Sequence, residues 1–280
     1  MNRVLTGRQP IIKIIKYMFL CIYSIAIIYP LLFVLMSSLK SNNEIFSTPF
    51  ALPTVWNFKI YYDVWTKFNV QVYFLNSVYY ATVSVAICVV ISCMAAYGLT
   101  RMKWKLKGAT FAFILLGLMV PMHSEVVPLY IGLNKLGFRD PKITLIGIFV
   151  AFAIPTTIFI VSGFIQSLPI ELEESAVIEG CGLIKAFFLI IVPLLKPVIA
   201  TVIIFNFLGV WNDFFAGLIF ISQEGDKTLQ LGISRFQGNF STRYADLLAA
   251  IMITIIPSII VYSVLQDQII SGLTAGAVKG

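Results

Sequence analysis

The chain has 280 residues, of which 59% are hydrophobic and 12% are charged, and its formal net charge is +7. Soluble domains contain roughly half apolar and a quarter charged residues, so this composition excludes a water-soluble fold for most of the chain. The basic residues lie at the ends of apolar segments rather than in an aromatic-interleaved patch, which favours membrane topology over nucleic-acid binding.

Six apolar segments are long enough to cross a bilayer, because a spanning helix needs about 20 mainly apolar residues. The predicted spans lie at approximately Tyr17–Leu35, Tyr73–Leu99, Ala109–Leu133, Ile143–Phe164, Val198–Ile221 and Leu247–Leu265. Pro121 and His123 interrupt the third span. The first apolar run is longer than that of a signal peptide, so we expect it to be retained. The sequence therefore predicts an all-α membrane protein with about six transmembrane helices.

Lysine and arginine indicate the orientation of these helices, because they concentrate in cytoplasmic loops. Basic residues precede the first span, and four more occupy the short loop 101–107 after the second span. Lys135, Arg139 and Lys142 count against this orientation, since they would lie outside. We predict that both termini are cytoplasmic, together with the long connection at about residues 166–197 between the fourth and fifth spans.

This connection contains an acidic cluster, which is unusual for a chain with so few acids. The clustered residues are Glu171, Glu173, Glu174 and Glu179. Pro169 suits a first helical turn, the early glutamates suit the positive end of a helix dipole, and Gly180 suits a helix stop. A solvated acidic loop is one interpretation. The interspersed apolar residues are equally consistent with a short amphipathic helix that docks on a partner.

The segment from Glu174 to Gly182, followed by Ile190 to Pro197, resembles the signature loop of binding-protein-dependent ABC importer permeases. In that family the loop reads Glu-Ala-Ala, then Gly, then Ile-x-Leu-Pro. The residues that match this pattern are Glu174, Ala176, Gly180, Ile190 and Pro193. The residues that depart from the usual sugar-permease loop, each by a small change, are Ser175, Glu179, Cys181 and Val192.

Further segments resemble the maltose-type subfamily of these permeases. They are Met119–Pro121, Val126–Tyr130, Gly209–Phe214 and the terminal Gly272–Gly280, which reads Gly-Leu-Thr-Ala-Gly-Ala-Val-Lys-Gly. The last match is the most specific, because it agrees almost letter for letter with the tail of one of the two permease subunits. The matches extend from the third predicted helix to the last residue.

The resemblance implies a type I ABC importer transmembrane-domain fold in a bacterial cytoplasmic membrane. Residues 1–70 would form the N-terminal tail, first span and first outer loop, 71–268 the core permease domain, and 269–280 a cytoplasmic tail. In the family, the signature loop is a coupling helix that sits in a cleft on the ATPase. The residues that inherit this role are Glu174, Ala176, Gly180, Gly182 and Pro193.

The C-terminal tail resembles one that reaches into the ATPase dimer, although a frayed terminus would have the same composition. Its implied contact residues are Gly272, Thr274, Gly276, Lys279 and Gly280. The implied partners are a second homologous permease subunit, two ATPase subunits that bind ATP and Mg, an extracytoplasmic sugar-binding protein and membrane lipid. The outer loop at about residues 222–245 resembles the segment that touches the binding protein in relatives.

Asp213 is a carboxylate near a predicted span, and such a residue usually faces a cavity or a partner. With Trp211 and Asn212 it forms a candidate gate or pathway group. For Asp213 we favour a structural or gating role over direct contact with the sugar. His123 and Glu125 have the same ambiguity, and neither is assigned a role.

No catalytic or metal-binding cluster is predicted, since the chain has one histidine and scattered acids. Gly225–Thr228 superficially suggests a phosphate loop but lacks the leading glycine and the Gly-Lys pair, so ATP hydrolysis is assigned to another chain. The predicted function is a permease subunit of an ATP-driven sugar importer, with a di- or oligosaccharide favoured. Alternatives are a permease for a monosaccharide, sugar acid or glycerol phosphate, and a secondary transporter, which would typically show repeated halves.

Overall fold

The computed structural model describes residues 8–236 and 243–277, and their side chains from Lys13 to Asp267. Within these residues every regular element is a helix, which confirms the all-α prediction. The α-helices are α1 Arg8–Ser37, α2 Asn42–Ser47, α3 Lys59–Lys67, α4 Val70–Thr100, α5 Lys107–Leu116, α6 Met122–Lys135, α7 Pro141–Ser167, α8 Glu171–Ile178, α9 Leu183–Ala186, α10 Val192–Leu194, α11 Lys196–Trp211, α12 Phe215–Phe220, α13 Leu229–Ile233 and α14 Tyr244–Ala277.

Four of these helices are each long and apolar enough to cross a membrane alone. The segments that meet this condition are Lys13–Ser37 of α1, all of α4, all of α7 and Tyr244–Asp267 of α14. Two further candidates are bent pairs: α5 with the 3₁₀ turn Gly117–Met119 meets α6 at 100°, and Leu183–Leu194 meets α11 at 73°. The predicted count of about six spans is confirmed if each bent pair crosses once.

Proline accounts for both bends. Pro121 lies between the 3₁₀ turn and α6, and the residue before it, Val120, is extended, as a residue preceding proline prefers. Pro197 lies in the first turn of α11, and because it has no N–H to donate to the carbonyl oxygen of Pro193, the helical ladder cannot continue from α10 into α11. The fifth span also differs from its predicted limits, because α11 ends at Trp211 and a break precedes α12.

The described chain divides into two compact units. One contains the residues up to Asn69 with the described part of Arg235–Ile253, and the other contains Val70–Ser234 with the residues from Thr254 onward. The sequence-based division at residues 70/71 and 268/269 follows the order of the chain rather than its packing, and it stays a prediction.

In the first unit, Lys40 is fully buried and organises the segment after α1. Its Nζ donates to the carbonyl oxygens of Thr48 at 2.9 Å and Pro49 at 3.0 Å, so the ammonium group caps the end of α2. Nearby, the backbone N–H of Thr54 donates to Oε1 of Glu44 at 2.6 Å and lowers the pKa of this exposed carboxyl. These polar contacts join α2 to the segments that precede and follow it.

The second unit is built on the pairing of α4 with α7. Lipid tails are as apolar as leucine side chains, so helices in a bilayer associate through close packing and hydrogen bonds between small residues. The buried face of α4 has this character along its whole length: Ser77, Ala81, Ser84, Cys88, Ser92 and Ala96. Their spacing of three or four residues places them on one side of the helix.

A core cluster lies near the end of α4 and joins it to α7 and α11. Its members include Tyr97 of α4, Val161 and Ile165 of α7, Leu195, and Val198 of α11. Phe187 and Ile191, from the π-helical turn Phe187–Ile191 before α10, belong to the same cluster. The connection between the fourth and fifth spans is therefore packed against the spanning helices rather than being a solvated loop.

Candidate functional site

The acidic segment forms helix α8, as its sequence predicts, and ends in a glycine-dependent turn. Gly180 has φ +82°, a left-handed conformation that disfavours any residue with a Cβ atom. The N–H of Gly180 donates to Val177 O at 3.0 Å, and the N–H of Cys181 donates to Ala176 O at 2.8 Å. These two bonds make a Schellman cap, which stops α8 and directs the chain into α9.

The outward side of α8 and of the turn after it combines apolar and acidic side chains. Glu174 is exposed there, whereas Ala176 is buried against the rest of the unit. The large exposed apolar residues of this surface, which we call the α8 surface, are Ile170, Leu172, Val177, Ile178, Leu183 and Ile184. Ile178 is 86% exposed, which is unusual for isoleucine outside a contact with lipid or protein.

A groove of about 520 Å³ adjoins the turn on the α8 surface. Its floor contains Gly180 and Gly182, neither of which has an atom within 4 Å of the position that a Cβ would occupy. The other lining residues are Met102, Leu183, Ile184 and Lys185. The arrangement offers a partner an exposed helix end beside an open groove, which is suited to docking.

Glu173 is the member of the acidic cluster that faces inward, and nothing in the spacing of the four glutamates predicts this position. Its side chain is 8% exposed, and its Oε1 lies 2.8 Å from Nε of Arg101, just after α4. The Nε–H bond is not aligned for a hydrogen bond, so this contact is an ion pair. The hydroxyl of Tyr97 donates to the other carboxylate oxygen, Oε2, at 2.9 Å.

The predicted role of the basic loop after the second span is topological, but two of its residues also have defined partners. Arg101 donates through Nη2 to Ile165 O at 2.9 Å and Leu168 O at 2.7 Å, at the end of α7. Lys107 Nζ donates to Thr100 O, the last carbonyl of α4, at 2.7 Å. Both cations therefore stabilise the negative ends of helix dipoles.

Pro193, the last residue of the predicted coupling group, lies in the short helix α10 between the π-helical turn and the bend at Leu195. π-helical turns are rare and frequently occur at functional sites. Pro193 is exposed, whereas Leu195 is buried in the core cluster. The path from α8 into α11 thus passes through a buried and sharply bent connection.

The residues of the candidate gate group differ in their surroundings. Trp211 is 1% exposed, packs between Phe74 and Phe207 and donates from Nε1 to Thr254 O at 3.1 Å. Asn212 is exposed and donates back to Leu208 O at 2.9 Å. Trp211 therefore packs in the interior of the unit, and only its neighbours are placed to meet a solute.

Asp213 borders a cavity of about 280 Å³ that also contains Asn206 and Thr156. Asp213 Oδ1 accepts from the N–H of Gly217 at 3.1 Å and thereby holds the start of α12. Asn206 donates to Thr157 Oγ1 at 3.0 Å. The remaining wall is mainly apolar: Met122, Phe149, Phe152, Ala153, Phe205, Gly209 and Val210. An apolar pocket with a few converging polar groups is typical of a small-molecule site.

The segment Glu224–Asp226 is a 3₁₀ turn fastened to the first turns of α4 and α7. Asn76 donates to Gly225 O at 2.8 Å, the hydroxyl of Tyr73 donates to Glu224, and Asp226 lies 3.1 Å from Lys142 Nζ. The turn that superficially suggests a phosphate loop therefore holds α4 and α7 together through hydrogen bonds and an ion pair. Among the described residues, no group of three or more His, Cys, Asp or Glu side chains is placed to hold a metal ion.

The predicted tail residues lie at or beyond the end of the described chain. Helix α14 continues to Ala277, so the backbone at Gly272, Thr274 and Gly276 is helical. The described side chains end at Asp267, and Lys279 and Gly280 lie outside the described residues. The prediction that this tail contacts an ATPase stays a prediction.

Comparison with known proteins identifies the class. The family described as "Binding-protein-dependent transport system inner membrane component" matches residues 88–274. The diacetylchitobiose uptake system permease protein NgcG of Streptomyces coelicolor is 36% identical over 267 residues, covering 95% of this chain and 88% of that protein. The melibiose/raffinose/stachyose import permease protein MelC of Bacillus subtilis is 32% identical, covering 90% of this chain and 91% of that protein.

A solved structure has the same fold over nearly the whole chain. It is the crystal structure of a bacterial ABC transporter involved in the import of the acidic polysaccharide alginate, with a TM-score of 0.83 and 20% sequence identity. The alignment covers 95% of this chain and 99% of the matching chain. At this identity the likeness establishes the fold, and it confirms the predicted ABC importer transmembrane-domain architecture.

The chain belongs to the family of binding-protein-dependent transport system inner membrane components. It is a multi-pass protein of the cytoplasmic membrane and acts as a permease within an ABC importer that has other components. The members of this family are membrane permease subunits of ABC transporters, which are not themselves catalytic. The prediction of an ABC importer permease is therefore confirmed.

Proposed function

We propose that this chain is one permease subunit of an ATP-driven importer for a di- or oligosaccharide. The relatives named above include permeases for diacetylchitobiose and for melibiose, raffinose and stachyose. The observation that carries the coupling part of the proposal is the α8 surface, which exposes large apolar side chains next to the exposed Glu174, and whose glycine turn borders an open groove lined by Gly180, Gly182 and Ile184. This surface is suited to docking into a membrane-facing cleft on an ATPase subunit.

The complete importer contains a second homologous permease subunit, two ATPase subunits that bind ATP and Mg, and an extracytoplasmic sugar-binding protein. The side of the membrane that carries α8 is then cytoplasmic, as are both termini. ATP hydrolysis takes place on the partner ATPase subunits. The tail, with Gly272, Thr274, Gly276, Lys279 and Gly280, provides a second contact with the ATPase dimer.

The coupling proposal predicts that Gly180→Val and Glu174→Lys weaken the association with the ATPase. Valine at Gly180 is disfavoured by the positive φ and projects into the groove, while lysine reverses an exposed charge. Interface hot spots contribute about 2 kcal/mol or more, so we expect about a 30-fold loss of affinity. The measurement is ATPase co-purification with the permease, together with sugar uptake in cells.

The matched control is Gly108→Val, at an exposed glycine in the first turn of α5 that has open space around its Cβ position. This variant is expected to retain both association and uptake. If Gly180→Val and Glu174→Lys retain them as well, α8 is not the coupling helix.

The substrate class is tested with the extracytoplasmic sugar-binding protein of the same importer. A panel of di- and oligosaccharides, monosaccharides, sugar acids and glycerol phosphates is titrated against the purified binding protein by calorimetry. We expect binding of a di- or oligosaccharide, and the same sugar should stimulate ATP hydrolysis by the assembled importer in proteoliposomes. Tight binding of only a monosaccharide, a sugar acid or a glycerol phosphate would contradict the substrate assignment and leave the coupling proposal intact.

The cavity beside Asp213 is the segment of the translocation pathway that this subunit contributes. Asn206 and Thr156 supply hydrogen-bonding groups on its wall, and the aromatic residues Phe149 and Phe205 supply apolar faces of the kind that sugar rings stack on. Asp213 on its wall and the exposed neighbour Asn212 act as gating residues, whereas Trp211 supports them from the interior.

A further inference from the structure

We propose that Arg101, Glu173 and Tyr97 form a positioning link that makes α8 move together with helices α4 and α7. The inference rests on the proposed coupling function of α8. It assigns to these three residues the transmission of movement from the ATPase into the membrane, a role separate from docking. None of the three belongs to the α8 surface.

The first observation is the contrast between Glu173 and its neighbours on the same short helix. Glu171, Glu174 and Glu179 are exposed, whereas the side chain of Glu173 is 8% exposed. A carboxylate at that depth is tolerated only when a partner balances its charge. Docking of α8 on an ATPase needs only its exposed face, so the inward carboxylate serves a contact within this chain.

The second observation is that Arg101 connects three helices, α4 through its backbone and α7 and α8 through its guanidinium group. Arg101 directly follows the last residue of α4, and its backbone N–H donates to Tyr97 O at 2.9 Å. Its Nη2 donates to the carbonyl oxygens of Ile165 and Leu168 at the end of α7, and its Nε lies 2.8 Å from Glu173 of α8. The planar guanidinium presents its Nη2 to the two carbonyl oxygens and its Nε to the carboxylate at the same time, whereas an ammonium group is a single point charge.

The third observation is that Tyr97 touches the coupling segment on both sides of its glycine turn. Before the turn, its hydroxyl donates to Glu173 Oε2 at 2.9 Å. After the turn, its ring packs on the ring of Phe187 with centroids 4.9 Å apart. Phe187 is buried in the core cluster that also contains Val161 of α7 and Val198 of α11.

These contacts determine how a force on α8 is distributed. The Gly180 turn is the place where α8 could flex away from α9 without moving the spans. The ion pair and the Tyr97 hydroxyl hold α8 to α4 and α7 ahead of that turn, so a displacement of α8 displaces both spans. Without the link, the ATPase could still bind the α8 surface, but part of its movement would be lost in the turn.

The test uses the assembled importer in proteoliposomes and measures sugar imported per ATP hydrolysed. Glu173→Gln removes the charge while retaining shape, Arg101→Lys retains the charge but loses the planar fork, and Tyr97→Phe removes only the hydroxyl. We expect Glu173→Gln to lower sugar per ATP about tenfold, within the usual range of coupling effects, with the ATPase still co-purifying. The two milder variants should lower it about two- to threefold, at the lower end of the effect of mutations that link two sites.

Glu171→Gln is the matched control, because it makes the same chemical change at an exposed position of the same helix. Its sugar per ATP should equal that of the parent. A purely structural role predicts that uptake and ATP hydrolysis fall together with the yield of complex, so that their ratio is unchanged in every variant. That result would overturn the link, and if Glu173→Gln does not assemble, Arg101→Lys and Tyr97→Phe decide.

Failure of the link and failure of the proposed function give different results. If Gly180→Val abolishes ATPase co-purification while the link variants keep the parental ratio, α8 docks the ATPase and only the link is wrong. If Gly180→Val and Glu174→Lys also leave co-purification unchanged, the coupling function assigned to α8 is wrong.

Discussion

Replacing Gly232 with alanine is expected to destabilise the protein strongly, although the change adds one methyl group. The new Cβ would lie 2.6 Å from Cε2 and 2.7 Å from Cγ of Tyr73, and it would also overlap Cδ2. Tyr73 is 1% exposed and its hydroxyl bonds Glu224, so its ring has no room to turn away. Overpacking a buried site costs about 1–3 kcal/mol, and the rigid neighbour places this variant at the upper end.

The measurement is the apparent Tm of the purified protein in detergent. A loss of about 3 kcal/mol corresponds to a fall of about 6–12 °C for a chain of this size. Gly163→Ala is the control, since no atom lies within 4 Å of its Cβ position in α7, and alanine favours helix. Adding Tyr73→Leu to Gly232→Ala should recover part of the loss, because the two sites are in contact. Equal Tm values for Gly232→Ala and Gly163→Ala would contradict the predicted overlap.

Trp211→Ala is expected to lower stability by about 3–5 kcal/mol, as large aromatic truncations in cores do. The indole ring is enclosed between Phe74, at a centroid distance of 5.7 Å, and Phe207, at 5.6 Å. The hydrogen bond that its Nε1–H donates to Thr254 O would also be lost. The yield of monodisperse protein and its apparent Tm should both fall, whereas Trp56→Ala, at a 48% exposed tryptophan, should change neither much.

Trp211→Phe separates a packing role from a gating role. Phenylalanine retains much of the aromatic packing but has no N–H donor, so we expect a smaller loss of about 1–3 kcal/mol and normal uptake per folded molecule. A gating tryptophan would give the opposite pattern, with unchanged Tm and altered uptake or ATP hydrolysis. That second pattern would contradict the packing role and would show that Trp211 acts as a gating residue, as its sequence context suggests.

The membrane spans were predictable because hydropathy and length are local properties of the chain. The uninterrupted helices α4 and α7 cover the second and fourth predicted spans, and the third span breaks where Pro121 predicts an interruption. Hydropathy does not predict the break after Trp211, since residues 198–221 are mainly apolar and the polar ones are only Thr201, Asn206, Asn212 and Asp213. Asp213 holds the start of α12 through Gly217, which is a contact between neighbouring residues that hydropathy does not register.

The docking segment was partly predictable. Gly180 was identified as a helix stop, and it has the left-handed conformation that makes glycine necessary there. Ser77, Ala81, Cys88 and Ser92, as small residues at helical spacing, were a signal for the buried face of α4 that hydropathy alone overlooks. Which glutamate of the acidic cluster faces inward could not be read from the sequence, because the four differ little in local context.

The sequence by itself determined that this chain is a polytopic membrane permease with a short acidic helix between its fourth and fifth spans. Apolar length, proline and glycine positions and the signature residues are all properties of neighbouring residues. Only the tertiary structure decided that Glu173 meets Arg101, that Tyr73 lies against Gly232, and that Trp211 packs inward. These contacts depend on which faces of distant helices meet, and that is set by packing across the whole unit.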